Sequence, residues 1–193
     1  MRDRVFAAIE EQLKWKKSII IAIDGNSGAG KSTLAMEIKK QCGANLFHMD
    51  DFFLPVVQKT QERLAIPGGN VDWERVRAEV LIPLSVGIDF TYRPFHCRTQ
   101  SPGEAIMVST EHLSIVEGVY SMHPALMPYY SLTVFMAVLP ATQRKRILAR
   151  SDSIVLKRFE TEWIPLENTY FSTYRIKDKS DIIIDEHEGI IER

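Results

Sequence analysis

Apolar residues in the first quarter of the chain change from helical to strand-like spacing. Every fourth residue from 5 to 13 is apolar, which predicts a short amphipathic helix, and the solid apolar run at 18–24 predicts a strand buried on both faces. Residues 31–41 are typical of a helix that ends at Gly43, and residues 45–49 predict a second short strand that is followed by acidic residues. The pattern therefore predicts one βαβ unit.

The rest of the chain contains shorter apolar runs. A helix is predicted from Trp73, and we expect it to stop near Pro83. Residues 90–95 and 105–109 predict two β segments separated by a Pro-Gly turn at 102–103, which indicates a hairpin insert. Further runs of strand length follow at residues 113–116, 132–139 and 181–184. Because the spacers between them can hold helices, the predicted fold class is α/β with a mostly parallel sheet.

Composition and charge narrow the functional classes. The chain has 193 residues, of which 45% are hydrophobic and 25% charged, so we expect a single domain spanning residues 1–193. The net charge of −1 provides no basic field for nucleic acid, and the longest apolar runs are too short to span a bilayer. The first seventeen residues alternate charged and apolar positions, unlike a secretory signal, so a cytoplasmic location is expected.

A glycine-rich segment between the first predicted strand and helix carries the strongest chemical signal. Its sequence, GNSGAGKS, matches the spacing of a phosphate-binding loop. The glycines let the backbone N–H groups turn inward, and we expect Lys31 to reach the β and γ phosphates while the Ser32 hydroxyl serves Mg²⁺. The predicted ATP-binding residues of this segment are Gly25, Asn26, Ser27, Gly28, Ala29, Gly30, Lys31, Ser32 and Thr33.

Acidic residues at the ends of two predicted strands are candidates for metal binding and for catalysis. Glu117 ends the apolar run LSIVE, a place from which a carboxylate can bind Mg²⁺ directly or through water, although a solvated strand end is the alternative. Asp50 and Asp51 follow the strand next to the loop, where a carboxylate is well placed to deprotonate an acceptor hydroxyl. Because side chains alternate along a strand, we expect only one of them, Asp50, to face the crevice.

The sequence contains no Asn-Lys-x-Asp segment for reading guanine, and the chain is short for a mechanical ATPase. A small-molecule kinase is therefore the leading class. At this point the chain resembles the uridine kinase and phosphoribulokinase family, through GNSGAGKST, MDDFF, GGNVDWERV and IVEGVY in that order over residues 21–120. Weaker likeness continues through ATQRKRILAR, WIPLE and KSDIIID.

The resemblance implies a P-loop NTPase-type three-layer sandwich with a small hairpin insert and a helical lid at about residues 141–160. It also implies ATP and Mg²⁺ as cofactors and assigns roles to single residues. Asp50 matches the family's catalytic base, and Glu117 matches its glutamate beside Mg²⁺. Asp72 matches a residue that contacts sugar hydroxyls, with a helix N-terminal cap as the alternative. Arg146 and Arg150 fall within the lid, where arginines meet phosphates.

The hairpin insert contributes an aromatic residue and a histidine to the nucleobase pocket of uridine kinases. Here Tyr92, His96 and Arg98 are the corresponding substrate-binding candidates, in a segment, YRPFHCR, that departs from the family pattern. A core tyrosine and a surface histidine are the alternative. Elsewhere, we interpret His48 and Tyr170 as packing residues.

The sequence therefore predicts an ATP-dependent kinase that acts on a small-molecule hydroxyl, with uridine or cytidine as the first choice of acceptor. Pantothenate, a sugar phosphate, glycerate and nicotinamide riboside stay open as acceptors. A nucleotide-sensing regulatory protein is the alternative from another class. Neither nucleic acid nor membrane is an expected partner, and assembly into a homo-oligomer is left open.

Overall fold

The structure, a computed structural model, describes residues 2–185 and 189–192. The first half of the chain contains, in order, α1 (Arg2–Trp15), β1 (Ile19–Gly25), α2 (Lys31–Cys42), β2 (Asn45–His48), α3 (Gln61–Ala65), α4 (Trp73–Arg75), α5 (Ile82–Val86), β3 (Phe90–Tyr92) and β4 (Phe95–His96). The second half contains β5 (Ser101–Pro102), β6 (Ile106–Val108), β7 (Leu113–Glu117), β8 (Leu132–Ala137), α6 (Pro140–Arg150), α7 (Ser153–Arg158), α8 (Ile164–Tyr174), α9 (Ile176–Lys179), β9 (Ile182–Asp185) and β10 (Gly189–Glu192).

The central sheet has six strands in the order β10-β9-β8-β1-β7-β2. The five strands from β9 to β2 are parallel, and β10 pairs antiparallel with β9 at the edge. The α/β prediction with a mostly parallel sheet is therefore confirmed. Since β1 lies between β7 and β8, the loop that follows β1 emerges at the middle of the sheet, where the carboxyl ends of three strands meet.

Apolar residues on both faces of the sheet explain why β1 is buried along its whole length. Ile19, Ile21 and Ile23 point to one face, where they pack against α1 and α2. Ile20 and Ala22 point to the other face, where the helices of the middle and the end of the chain cover them. The result is the predicted three-layer arrangement, with a helical layer on each side of the sheet.

The helix that starts at Trp73 continues past the predicted stop at Pro83. A π-helical segment, Val76–Leu81, joins α4 to α5, and the helix ends at Gly87, which has φ +71. Hydrogen bonds in a π segment span five residues, one more than in an α-helix. The hydrogen-bond pattern therefore changes just before Pro83, and the N–H that proline lacks falls at this change. The predicted end was therefore wrong, although the helix exists.

The hairpin insert is confirmed, but its turn lies elsewhere than predicted. β3 pairs antiparallel with β6, and β4 pairs antiparallel with β5. Pro102 is part of β5 and stands opposite Phe95, while the turn occupies residues 97–100, where Gln100 has φ +53. Proline is tolerated there because a short edge strand leaves one row of N–H groups unpaired.

The helices after β8 form the layer that faces the loop. α7, a π segment (Phe159–Trp163) and α8 follow one another with helical backbone throughout, and α6 precedes them. The predicted lid region, residues 141–160, covers most of α6 and all of α7. In the described part of the chain, no helix has the length and apolar character that crossing a membrane requires.

We predict that Gly25→Ala is severely destabilising. Gly25 has φ +133, and an added Cβ would lie 2.1 Å from the Met136 carbonyl oxygen. Overpacking and backbone strain together should cost about 3 kcal/mol of unfolding free energy, measured by urea denaturation. Gly43→Ala is the control, since Gly43 also has positive φ but an added Cβ meets nothing within 4 Å, and it should cost about 1 kcal/mol. Equal losses in the two variants would contradict the steric argument.

Candidate active site

A cavity of about 690 Å³ opens at the carboxyl ends of β1, β7 and β8, which is a usual size and place for a small-molecule site. The start of α2 forms its floor. Among the predicted residues, the cavity is lined by Ser27, Gly28, Ala29, Gly30, Lys31, Ser32, Thr33, Asp50, Glu117, Arg146 and Arg150. The structure thus brings the loop, both acidic strand ends and the two lid arginines to one place.

Lys31 is folded back onto its own loop. Its Nζ donates to the carbonyl oxygens of Gly25, at 2.8 Å, and Asn26, at 3.0 Å. Burial lowers the pKa of Lys31, while nearby carboxylates, first among them Asp24, act in the opposite direction. Glu167 also raises this pKa. The ammonium group is therefore held in place by two loop carbonyl oxygens, and the nearby carboxylates favour its charged form.

Asp24, the last residue before the loop, is a part of the site that the sequence interpretation missed. Its Oδ1 accepts from the Gly25 N–H at 2.7 Å, and its Oδ2 accepts from the Met122 N–H at 2.9 Å and the Tyr170 hydroxyl at 2.7 Å. Burial raises its pKa to about 6, against the effect of these bonds and of Lys31. An acid that ends an otherwise apolar strand was the available signal. Tyr170 is fully buried, as predicted.

Ser32, Glu117 and His48 form a second hydrogen-bonded group. Glu117 Oε1 accepts from the Ser32 hydroxyl at 3.0 Å and lies 2.5 Å from His48 Nδ1. The hydrogen bond to Glu117 raises the pKa of His48, against the effect of burial. His48 was expected to be a packing residue, and it is instead a half-exposed partner of Glu117. The oxygens of Ser32 and Glu117 are of the type that Mg²⁺ prefers, and they converge beside the loop, so these residues fit a metal.

Asp50 and Asp51 lie in a 3₁₀ turn (Met49–Phe52) that follows β2. Asp50 lines the cavity, where the surrounding protein and then the charge of Glu117 raise the pKa of its carboxyl. Asp51 turns towards the insert, with Oδ2 3.5 Å from the Tyr92 hydroxyl. The two side chains thus diverge because of the tight turn, whereas the sequence argument relied on strand alternation.

Helix α6, which lies mostly within the predicted lid region, contacts the loop directly. Arg146 Nη1 donates to the Gly28 carbonyl oxygen at 3.2 Å. Arg150 lies one turn further, lines the cavity, and has its guanidinium 5.9 Å from the centre of the Phe159 ring. The charge of Arg150 lowers the pKa values of both Asp50 and Glu167. Both arginines therefore bring positive charge to the wall of the cavity.

Glu167, on α8, is the second residue that the sequence interpretation missed. Its Oε2 accepts from the Ser27 N–H at 3.1 Å, and its Oε1 accepts from the Ser27 hydroxyl. The side chain is buried, and burial raises its pKa, while the two bonds from Ser27 lower it. A lone acid three residues before the buried Tyr170 on α8 was the only sequence signal.

The remaining substrate candidates lie away from this cavity. Asp72 Oδ1 accepts from the Arg75 N–H at 3.1 Å and caps α4, and Asp72 also lines a second depression of about 380 Å³. Tyr92 is buried between the rings of Phe47 and Phe52. His96 and Arg98 are exposed on the insert. The structure therefore does not bring these four residues to the loop.

Several solved structures of similar fold are described as kinases. No family model matches the sequence. A "Possible Uridine Kinase" from Bacillus stearothermophilus has a TM-score of 0.71 at 19% identity, over 94% of this chain and 97% of that one. A candidate fructose transport system kinase from Silicibacter sp. has a TM-score of 0.71 at 18% identity, over 89% of this chain and 94% of that one. A D-glycerate 3-kinase from Cryptococcus neoformans has a TM-score of 0.61 at 12% identity, over 100% of this chain and 99% of that one. The chain therefore has the P-loop kinase fold, as its motifs predicted.

We predict that Tyr170→Phe lowers stability in a pH-dependent way. Its hydroxyl bonds Asp24, whose pKa of about 6 leaves this carboxyl mostly charged near pH 8 and mostly neutral near pH 5 in the folded protein. Hydrogen bonds to charged groups are stronger, so the loss should be about 2 kcal/mol near pH 8 and about 1 kcal/mol near pH 5. Urea denaturation at the two pH values measures it.

The matched control for this prediction is Tyr130→Phe. The Tyr130 hydroxyl donates to a neutral group, the Ser121 carbonyl oxygen, at 2.8 Å. Its loss should cost about 1 kcal/mol at both pH values. A loss for Tyr170→Phe that is as independent of pH as that of Tyr130→Phe would contradict the assigned charge of Asp24.

Proposed function

We propose that the protein is an ATP-dependent kinase that transfers the γ-phosphate to a hydroxyl of a small molecule, with a nucleoside such as uridine or cytidine as acceptor. One observation carries the proposal. Three groups face the same cavity: the phosphate-type loop, the oxygens of Ser32 and Glu117, which suit Mg²⁺, and the carboxylate of Asp50, whose pKa is raised. A phosphate loop alone would also suit a hydrolase, but the third group suits deprotonation of an acceptor.

The donor side of the reaction uses the loop and α2. The loop N–H groups and the positive end of the α2 dipole bind phosphate oxygens, and Lys31 exchanges the carbonyl oxygens of Gly25 and Asn26 for phosphate. Ser32 and Glu117 would hold Mg²⁺, which would neutralise charge on the phosphates when bound. Arg146 and Arg150, both on α6, then stabilise charge on the transferring group, and the helix that carries them excludes water.

The acceptor side uses Asp50. Its carboxylate accepts the proton of the acceptor hydroxyl as that oxygen bonds to the γ-phosphorus, and ADP leaves. A pKa raised from its ordinary value brings this carboxyl closer to neutral pH, where a general base is most effective. The transfer is direct, since positioning and charge stabilisation supply most of the rate acceleration and no covalent intermediate with the protein is needed.

The order of the motifs and the similar fold of a "Possible Uridine Kinase" support a nucleoside acceptor. Similar folds described as a D-glycerate 3-kinase and as a candidate fructose transport system kinase keep glycerate and sugar acceptors under consideration. Measuring ADP release from Mg-ATP with nucleosides, glycerate, pantothenate, nicotinamide riboside, sugar phosphates and fructose tests the class and identifies the acceptor together. ADP release that no acceptor increases would overturn the proposal and favour a nucleotide-sensing protein.

We predict that Asp50→Asn lowers kcat with the preferred acceptor about a thousandfold, because the general base is lost. The affinity for ATP, measured by calorimetry, should be retained, because the loop and Lys31 are unchanged. Asp51→Asn is the neighbouring control, and its kcat should fall by less than about tenfold because Asp51 faces Tyr92 and not the cavity. Full activity of Asp50→Asn would show that another group accepts the proton.

A further inference from the structure

Ser27 is the one loop residue for which the described structure shows both a backbone and a side-chain hydrogen bond to the same distant carboxylate. Glu167 binds its N–H with one oxygen and its hydroxyl with the other. The two residues are 140 positions apart in the sequence, so the contact joins the loop to a different layer of the protein. Hydrogen bonds to a buried charged group are among the stronger ones in proteins, and this contact uses two of them.

Helix α8 holds the same loop at a second point. Tyr170, three residues after Glu167 and therefore on the same face of the helix, donates to Asp24 directly before the loop. Helix α8 thus contacts the loop itself through Glu167 and the residue directly before the loop, Asp24, through Tyr170. Since α8 continues the helix of α7 through a π segment, these contacts also connect the loop to the lid region.

The surroundings of Glu167 explain how a carboxylate can lie beside a phosphate loop. Lys31 and Arg150 both lower its pKa, so two cations of the cavity face it. Each oxygen of the carboxylate also accepts a hydrogen bond from Ser27. Its contact is therefore with the wall of the loop, and its charge is balanced within the protein.

We infer that Glu167 is a positioning residue that fixes Ser27, and with it the nucleotide-binding shape of the loop, from helix α8. The inference rests on the proposed function only in that the loop binds a nucleoside triphosphate. Without Glu167, the Ser27 N–H and hydroxyl lose their partners and the loop must be ordered by the nucleotide itself, at the expense of affinity. Glutamine in its place keeps an oxygen for the Ser27 N–H and an amide hydrogen for the Ser27 oxygen.

Calorimetric titration of the full chain with a non-hydrolysable ATP analogue and Mg²⁺ tests this, because it needs neither acceptor nor turnover. Glu167→Ala should weaken binding about tenfold, the loss expected for one charge-assisted bond, and Glu167→Gln should bind within about threefold of the wild type. Glu162→Gln, at an exposed position before α8, is the matched control and should bind as the wild type does.

A double-mutant cycle tests the pairing with Ser27. Ser27→Ala should weaken binding about threefold, and Ser27→Ala/Glu167→Ala should bind as Glu167→Ala does, because both changes remove the same contact. Thermal unfolding of each variant shows whether it is folded. If Glu167→Ala does not fold, Ser27→Ala and Ser27→Ala/Glu167→Gln carry the test and should bind equally.

Three results would overturn the inference while the wild type binds the analogue: unchanged or tighter binding by Glu167→Ala, equal weakening by the Gln and Ala variants, or additive effects in the cycle. Tighter binding by Glu167→Ala, or equal weakening by the Gln and Ala variants, would show that Glu167 acts through its charge on Lys31 and Arg150. Unchanged binding by Glu167→Ala would show that its contact with Ser27 does not influence nucleotide binding. A wild type that does not bind the analogue would instead contradict the proposed function and remove the basis of the inference with it.

Discussion

The buried ammonium group of Lys31 is the interaction on which the arrangement of the site depends. A buried charge without partners is very costly, so the fold must bring compensating groups to it. Two carbonyl oxygens of the loop accept its hydrogen bonds, and four carboxylates act on its pKa: those of Asp24, Glu167, Glu117 and Asp50. They come from β1, α8, β7 and the turn after β2. One lysine therefore explains why acidic residues from four elements converge at one edge of the sheet.

This arrangement also prepares the site for an anionic ligand. Each carboxylate that compensates Lys31 is itself partly balanced by hydrogen bonds or by Arg150. In the proposed reaction, an arriving triphosphate would replace the carbonyl oxygens as the partner of the ammonium group, so the cation is already in place and the protein needs little rearrangement. The sheet supplies fixed positions, and the helices after β8 supply the groups that approach from above.

The sequence predicted the parts of the structure that depend on local pattern. The loop, the buried strands, Glu117 and Asp50 follow from spacing and from the rule that parallel strands end at one edge of a sheet. It did not reveal Asp24 or Glu167 as loop partners, because their roles depend on contacts with residues far away in the chain. The course of the helix through Pro83 also escaped prediction, since a π segment has no simple residue signature.

The hairpin insert has a consequence for how such proteins diversify. Within the described residues, its four strands form ladders with one another and none with the central sheet. Exposed insert positions such as His96 and Arg98 can therefore change without breaking the ladders that support Lys31 and the loop, whereas Tyr92 packs against Phe47 of β2 and is constrained by the core. A chain built in this way can vary the exposed positions of its insert at small risk to the folding of the sheet.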